Sequence, residues 1–131
     1  MSTVTVPTYT ANAAGNLRAS ASLAASASFN NDVDYSAKFE AQIHIKNTPG
    51  GTISGTRGLK VEIFRRYGSG PTTAETPMMT FYMPSQTIST AESFDFFLST
   101  GKYNIKVTNL DAAQAVTVEM GDDTVTSLTT T

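Results

Sequence analysis

The chain has 131 residues, a single-domain length, and its nine basic and eleven acidic residues give a formal net charge of −2. This balance disfavours DNA and RNA as partners, because phosphate recognition needs a basic surface. The absence of cysteine excludes disulfides and thiolate chemistry, and no apolar run approaches the roughly 20 residues of a membrane-spanning helix.

Residues 1–16 predict an extended N-terminal arm, followed by one domain over residues 17–131. The apolar side chains that the arm could offer to a neighbour are Val4, Val6 and Tyr9. The arm is either a frayed terminus or an element that adds a strand to another subunit. It lacks the basic stretch and the apolar run of a signal peptide.

The domain begins with an alternation of small side chains over residues 17–29, which predicts one long strand. The many alanines make a helix the competing interpretation. Residues 30–34 are rich in Asn and Asp and predict a turn. Residues 36–47 then predict the clearest strand, because four apolar side chains alternate there with polar ones.

The rest of the chain continues this pattern, with glycine- and proline-rich loops over 48–58 and 69–77. Further strands are predicted over residues 59–67, 78–83, 93–98 and 102–109, followed by a hairpin of 116–120 and 124–128. About eight short strands without a convincing amphipathic helix predict an all-β fold. The expected architecture is an antiparallel β-sandwich, either immunoglobulin-like or a jelly roll.

Catalytic equipment is sparse. His44 is the only histidine and lies on the polar face of its strand, so we expect a solvated side chain rather than a zinc ligand or a catalytic base. Asp32 and Asp34 in one predicted turn, and Asp122 and Asp123 in another, could converge on calcium, although neither run matches an EF-hand. Turn formation is the simpler explanation, and we expect no enzyme activity, cofactor or metal.

The strands predicted over residues 78–83 and 93–98 carry large apolar side chains on both faces, although only one face of a sandwich sheet is buried against the core. Either a loop covers the extra side chains, or they contact another protein. Arg65 and Tyr67 belong to the densest cationic spot, where neighbouring arginines point to opposite faces. The interface candidates of the whole chain are Val4, Val6, Tyr9, Met78, Tyr82, Phe97, Arg65 and Tyr67.

The segment from Leu98 to Asp111 resembles the late strands of immunoglobulin-like sandwiches, and Tyr103 matches a tyrosine-corner residue. More broadly, the chain resembles small virion accessory proteins of tailed bacteriophages, namely head decoration (cement) proteins and neck or tail components. The shared features are a short arm, a Thr-, Ser- and Ala-rich all-β body, and no cysteine or catalytic set.

This resemblance implies a structural protein of the virion, made in a host cytoplasm. It would bind the major capsid protein or other virion subunits and reinforce their contacts, as a homo-oligomer with a trimer favoured. Neither nucleic acid nor a membrane is an expected partner. The alternative is a carbohydrate-binding or adhesin-type sandwich, for which Tyr35 and Tyr67 near predicted loops are the best sugar-stacking candidates.

Overall fold

A computed structural model of the protein describes residues 9–49, 58–66, 76–84 and 92–126, which form two antiparallel sheets. The strands are β1 (Thr10–Ala11), β2 (Arg18–Leu23), β3 (Ser28–Asp34), β4 (Glu40–Pro49), β5 (Gly58–Arg65), β6 (Met79–Pro84), β7 (Glu92–Ser99), β8 (Lys102–Asn109) and β9 (Val116–Val125). Within these ranges, no helix is long and apolar enough to cross a membrane. The predicted antiparallel β-sandwich is confirmed.

Sheet A has the order β1-β9-β4-β7, and β2 also pairs with β9. Because β4 occupies one edge of β9, β1 and β2 follow one another along its other edge. Sheet B has the order β3-β8-β5-β6. Residues 10–11 therefore add a strand to the sheet of their own chain.

The core lies between the two sheets and follows the two-residue period of the strands. In β4, β5, β8 and β9, alternate side chains are fully or almost fully buried. The largest fully buried side chains of these strands are Tyr103, Ile43, Ile45, Leu59, Ile63, Ile105, Met120, Val61, Val107, Val118 and Val125, and β7 adds Leu98. The outer faces carry mostly polar and charged side chains, with a few exposed aromatic ones such as Tyr82 and Phe97.

The single strand predicted over residues 17–29 is wrong, because the chain changes sheets within it. It leaves sheet A after Leu23, turns with a hydrogen bond from the Ala27 N–H to the Ala24 carbonyl (3.1 Å), and enters sheet B as β3. Ser26 adopts a left-handed conformation with φ of 60°. Alanine and serine fit a strand and a turn almost equally, so the alternation conceals the break.

The turn predicted over residues 30–34 is also wrong, since these residues belong to β3. Their ladder with β8 is continuous from Ser28, opposite Thr108, to Asp34, opposite Lys102. β3 is an edge strand whose Asn and Asp side chains face mainly outward, and polar side chains are common on such edges.

The hairpin predicted over 116–120 and 124–128 is wrong, because β9 runs through the expected turn without interruption. Gly121 pairs with His44 of β4 inside the ladder. A Cβ atom at Gly121 would lie 3.0 Å from Oδ1 of Asn16 and 3.4 Å from the backbone N of Gly15. Glycine is therefore required for the close approach of the N-terminal segment, not for a turn.

Aromatic side chains close the space between the edge strands of the two sheets. The Phe81 ring of β6 lies with its centroid 5.4 Å from those of both Phe94 and Phe96 of β7. These rings pack against the core, whereas Tyr82 and Phe97 on the same two strands are 63% and 53% exposed. The aromatic side chains of β6 and β7 are thus of two kinds. Phe81, Phe94 and Phe96 pack in or against the core, whereas Tyr82 and Phe97 are exposed.

Tyr103 has the geometry of a tyrosine corner. Its buried hydroxyl donates to the carbonyl of Ser99 (3.0 Å), four residues upstream. Gly101 lies between them with φ of +150°, and a Cβ there would lie 3.1 Å from the Tyr103 hydroxyl. The resemblance of this segment to the late strands of immunoglobulin-like sandwiches is confirmed at this residue.

We expect Tyr103→Phe to lower the free energy of unfolding by about 1 kcal/mol, because it removes the partly buried hydrogen bond from the Tyr103 hydroxyl to the Ser99 carbonyl. Urea denaturation followed by circular dichroism measures this loss. The matched control is Tyr82→Phe, which removes a hydroxyl from an exposed ring and should change stability by less than about 0.5 kcal/mol. Equal losses in both variants would contradict a structural role of the corner.

Candidate functional site

The outer face of sheet A carries a groove of about 400 Å³, and the side chains of three strands form its floor. Residues 12–15 of the N-terminal segment form one wall. Side chains that line it include His44 and Lys46 of β4, Ser93 and Asp95 of β7, and Glu119 and Asp123 of β9. We call this region the sheet A groove.

His44 bridges two carboxylates in the middle of the groove. Its Nδ1 lies 2.8 Å from Oδ1 of Asp95, and its Nε2 lies 2.9 Å from Oδ2 of Asp123. Ionised carboxylates only accept hydrogen bonds, so both contacts are satisfied only when the ring carries two N–H donors. The bridge therefore favours the imidazolium form.

The pKa of His44 reflects two opposing effects. Partial burial disfavours the charged ring, but the hydrogen bonds and the attraction of Asp95 and Asp123 outweigh it and raise the pKa above its usual value. The side chain is 37% exposed, so the predicted solvated histidine is instead a half-buried, doubly bonded one.

This arrangement limits the chemistry of the groove. Both ring nitrogens of His44 are engaged by carboxylates, so neither can accept the proton of Ser93 as a general base. In the part of the chain that the structure describes, no group of three or more His, Cys, Asp or Glu side chains could hold a metal ion. The described groove thus presents hydrogen-bonding side chains without a free imidazole base.

Asp122 anchors the wall of the groove from the inner side of β9. Its side chain is buried, and its Oδ1 accepts hydrogen bonds from Nδ2 of Asn12 (2.6 Å) and of Asn16 (2.7 Å). Its Oδ2 accepts a hydrogen bond from the Tyr35 hydroxyl, and Asn16 Oδ1 accepts one from the Asp122 N–H (3.0 Å). The N-terminal segment is thereby attached to β9.

Tyr35 is part of this anchor and is unavailable to a ligand. Burial, with the hydrogen bond to Asp122, raises the pKa of the phenol. The ring is 4% exposed, so the expectation that Tyr35 stacks on a sugar is wrong. The other sugar-stacking candidate, Tyr67, lies outside the described residues.

An aromatic platform continues the groove toward the other end of sheet A. It consists of Tyr9 and Phe97, whose ring centroids are 6.5 Å apart with an interplanar angle of 56°. The Tyr9 hydroxyl donates to Oε2 of Glu40 (2.6 Å), and this bond raises the pKa of Tyr9 to about 12. Phe97 is more than half exposed and offers its ring to solvent.

The interface candidates predicted from the sequence divide between the two faces of the sandwich. Tyr9 and Phe97 come together on sheet A, whereas Met78, Tyr82 and Arg65 lie in or beside strands of sheet B. Met78 is 45% exposed, and the Arg65 guanidinium lies 5.8 Å from the centre of the Tyr103 ring. The remaining candidates, Val4, Val6 and Tyr67, lie outside the described residues.

The two acidic pairs do not converge. Asp32 and Asp34 lie on β3 of sheet B, where Asn104 Nδ2 donates to Asp32 Oδ1 (2.8 Å). The side chain and the backbone N–H of Ser36 donate to Asp34 and lower its pKa. Asp122 and Asp123 belong to β9 of sheet A, so all four aspartates lie in strands and the favoured interpretation of them as turn residues is wrong.

No protein-family model and no curated protein sequence matches this chain. Solved structures match it by fold. A CBM4 structure has a TM-score of 0.52 and 12% identity, covering 74% of this chain and 60% of that chain. A family 35 carbohydrate binding module from an environmental isolate has a TM-score of 0.47 and 16% identity, covering 76% and 66%.

Both are carbohydrate-binding modules. This chain spans about three fifths of the length of the first and about two thirds of the second. At 12% identity the first likeness supports the β-sandwich fold and nothing finer. These comparisons do not test the resemblance to virion accessory proteins, which stays a prediction.

We expect the stability of the protein to fall as the pH rises above about 6.5, the ordinary histidine pKa. The folded-state pKa of His44 is raised, so its contribution is complete below the unfolded-state pKa and is lost as the pH rises through the folded-state pKa. Urea denaturation of the wild-type protein and of His44→Gln across this range measures the difference.

In His44→Gln this pH-dependent part should be absent, and in Asp95→Asn it should be smaller, because one carboxylate of the bridge is neutral. Parallel wild-type and His44→Gln profiles between about pH 6 and pH 9 would show that the bridge does not contribute to folding.

We expect Asp122→Ala to lower the free energy of unfolding by about 2–3 kcal/mol, because it removes three side-chain hydrogen bonds and leaves the buried Tyr35 hydroxyl without its acceptor. Tyr35→Phe removes one of these bonds and should cost about 1–2 kcal/mol. The control Asp34→Ala, at an exposed carboxylate, should cost less than about 1 kcal/mol. Chemical denaturation checks the order, and equal effects of the two alanine variants would contradict it.

Proposed function

We propose that this protein is a carbohydrate-binding module whose ligand lies along the sheet A groove and the aromatic platform. The observation that carries the proposal is the exposed Phe97 ring on the same sheet face as a row of hydrogen-bonding side chains. Sugar rings combine apolar C–H faces with hydroxyl groups around the edge. A flat aromatic side chain beside carboxylates complements both.

The spacing of the two parts suits an oligosaccharide. Phe97 and Asp95 face the same side of β7 and are two residues apart, which places them about 7 Å from each other along the strand. A sugar on the platform would therefore have its neighbour over the His44 bridge. The ligand in this proposal is a chain of several sugar units rather than a monosaccharide.

Hydrogen-bonding capacity remains in the groove after the internal contacts are made. Asp95 and Asp123 each use one carboxylate oxygen for His44, and the second oxygen of each has no protein hydrogen-bond partner in the described ranges. Gln42 pairs with Phe97 across β4 and β7 and adds an amide beside the platform. These groups can receive the hydroxyls of a bound glycan.

The proposed role is binding without chemistry. The engaged nitrogens of His44 leave the groove without a free imidazole base, and binding modules need only complementarity. The likeness of the fold to the CBM4 structure supports this proposal at the level of architecture. An oligosaccharide recovered intact after long incubation is the expected outcome.

We expect Phe97→Ala to weaken glycan binding by about tenfold or more, because it removes the stacking surface. A glycan array identifies the ligand, and isothermal titration calorimetry measures the change. The matched control is Tyr82→Ala, which removes an even more exposed aromatic from the other sheet and should leave affinity unchanged.

Equal effects of the two variants would argue against the platform as the binding surface. If no glycan binds, the proposal fails.

Light scattering over a range of concentrations then tests the structural role in a virion that the sequence resemblance implies. A closed oligomer that loses assembly in Phe97→Ala would favour the capsid-decoration role.

A further inference from the structure

The charged side chains of the sheet A face are unequal in sign. The carboxylates on its outward positions are Glu40, Asp95, Glu119 and Asp123, and the cations are Lys46 and protonated His44. Four negative charges against two positive ones leave a net charge of −2 around the ligand path. Buried Asp122 is not counted, because its donors cover it.

The two cations of the groove differ in how available they are to an anionic ligand. His44 is held between Asp95 and Asp123, so both of its N–H groups are already used. Lys46 lies opposite Glu119 in the ladder between β4 and β9. Lys46 is exposed and makes no ion pair among the described residues, so it is one available cation among several carboxylates, and these repel a carboxylate or sulfate group on a ligand.

The aromatic platform also favours a cation, because of the electron distribution of its rings. The faces of the Tyr9 and Phe97 rings carry the negative part of the aromatic quadrupole and attract a cation placed over them. Glu40 lies at the same end, bound to the Tyr9 hydroxyl, and adds a full negative charge. The ring faces and the carboxylates therefore both favour a positively charged ligand.

We propose that the sheet A groove prefers glycans that carry protonated amines, such as glucosamine units, to neutral glycans, and rejects glycans that carry carboxylates or sulfates. An ammonium group offers three donors to an acceptor-rich groove and an opposite charge. This inference rests on the proposed carbohydrate-binding function and names the ligand class of the same site.

The experiment compares three β-1,4-linked oligosaccharides of equal length, built from glucose, glucosamine or glucuronic acid. Calorimetry at about pH 6, where the amines are charged, should give binding of the glucosamine oligomer at least about fivefold tighter than that of the glucose oligomer. The glucuronic acid oligomer should bind most weakly. The preference should shrink in about 0.5 M salt, because salt screens exposed charges.

Glu119→Gln removes one groove charge while keeping the shape of the side chain. It should reduce the glucosamine-to-glucose affinity ratio about two- to threefold, as expected for one exposed charge pair. The matched control is Glu62→Gln on the outer face of sheet B, which makes the same change in net charge and should leave the ratio unchanged.

The possible outcomes separate the two proposals. Equal affinity for the glucose and glucosamine oligomers, or tighter binding of the glucuronic acid oligomer, overturns the charge preference and leaves carbohydrate binding intact. Equal effects of Glu119→Gln and Glu62→Gln also overturn it, because net charge rather than the groove would then set the preference. Failure to bind any glycan overturns the proposed function itself.

Discussion

The buried carboxylate of Asp122 is the constraint on which the rest of sheet A depends. A buried charge is costly unless hydrogen bonds satisfy it, and here all of the side-chain donors are neutral. Two of them come from the N-terminal segment, so this segment must lie against β9 for the carboxylate to be satisfied. Gly121 gives that segment the room to approach. The position of the groove wall is therefore set by the hydrogen bonds that satisfy the Asp122 carboxylate.

Three aspartates near the groove illustrate how environment divides one residue type into two roles. Asp122 faces inward and holds structure through neutral donors. Asp95 and Asp123 face outward, share the His44 imidazole and each have one oxygen without a hydrogen-bond partner among the described residues. Residues 122 and 123 are neighbours in sequence, but strand alternation sends their side chains to opposite faces. Structure and binding surface are thus coupled through two adjacent positions of one strand.

The fold class could be predicted from the sequence, because strands such as β4 and β8 alternate buried and exposed side chains with the period of a strand. The ends of the strands were harder to predict. Ser26, for example, adopts a left-handed conformation in a turn among small residues that fit a strand or a turn. Gly121 suggested a turn because a glycine followed by two aspartates is typical of one, whereas its real constraint is a segment more than a hundred residues away. Phe97 could be selected as a surface residue. The His44 bridge could not, because its two partners come from other strands.

The anchor also determines when the groove can exist during synthesis of the chain. Asn12 and Asp122 are 110 positions apart, so almost the whole chain must leave the ribosome before the wall can close. Until then β1 and β2 lack the strand of sheet A with which they pair, since both pair with β9. Any shortened fragment that ends before β9 lacks the anchor as well as the floor of the groove. The groove therefore forms only after β9 has been made, in a late step of synthesis.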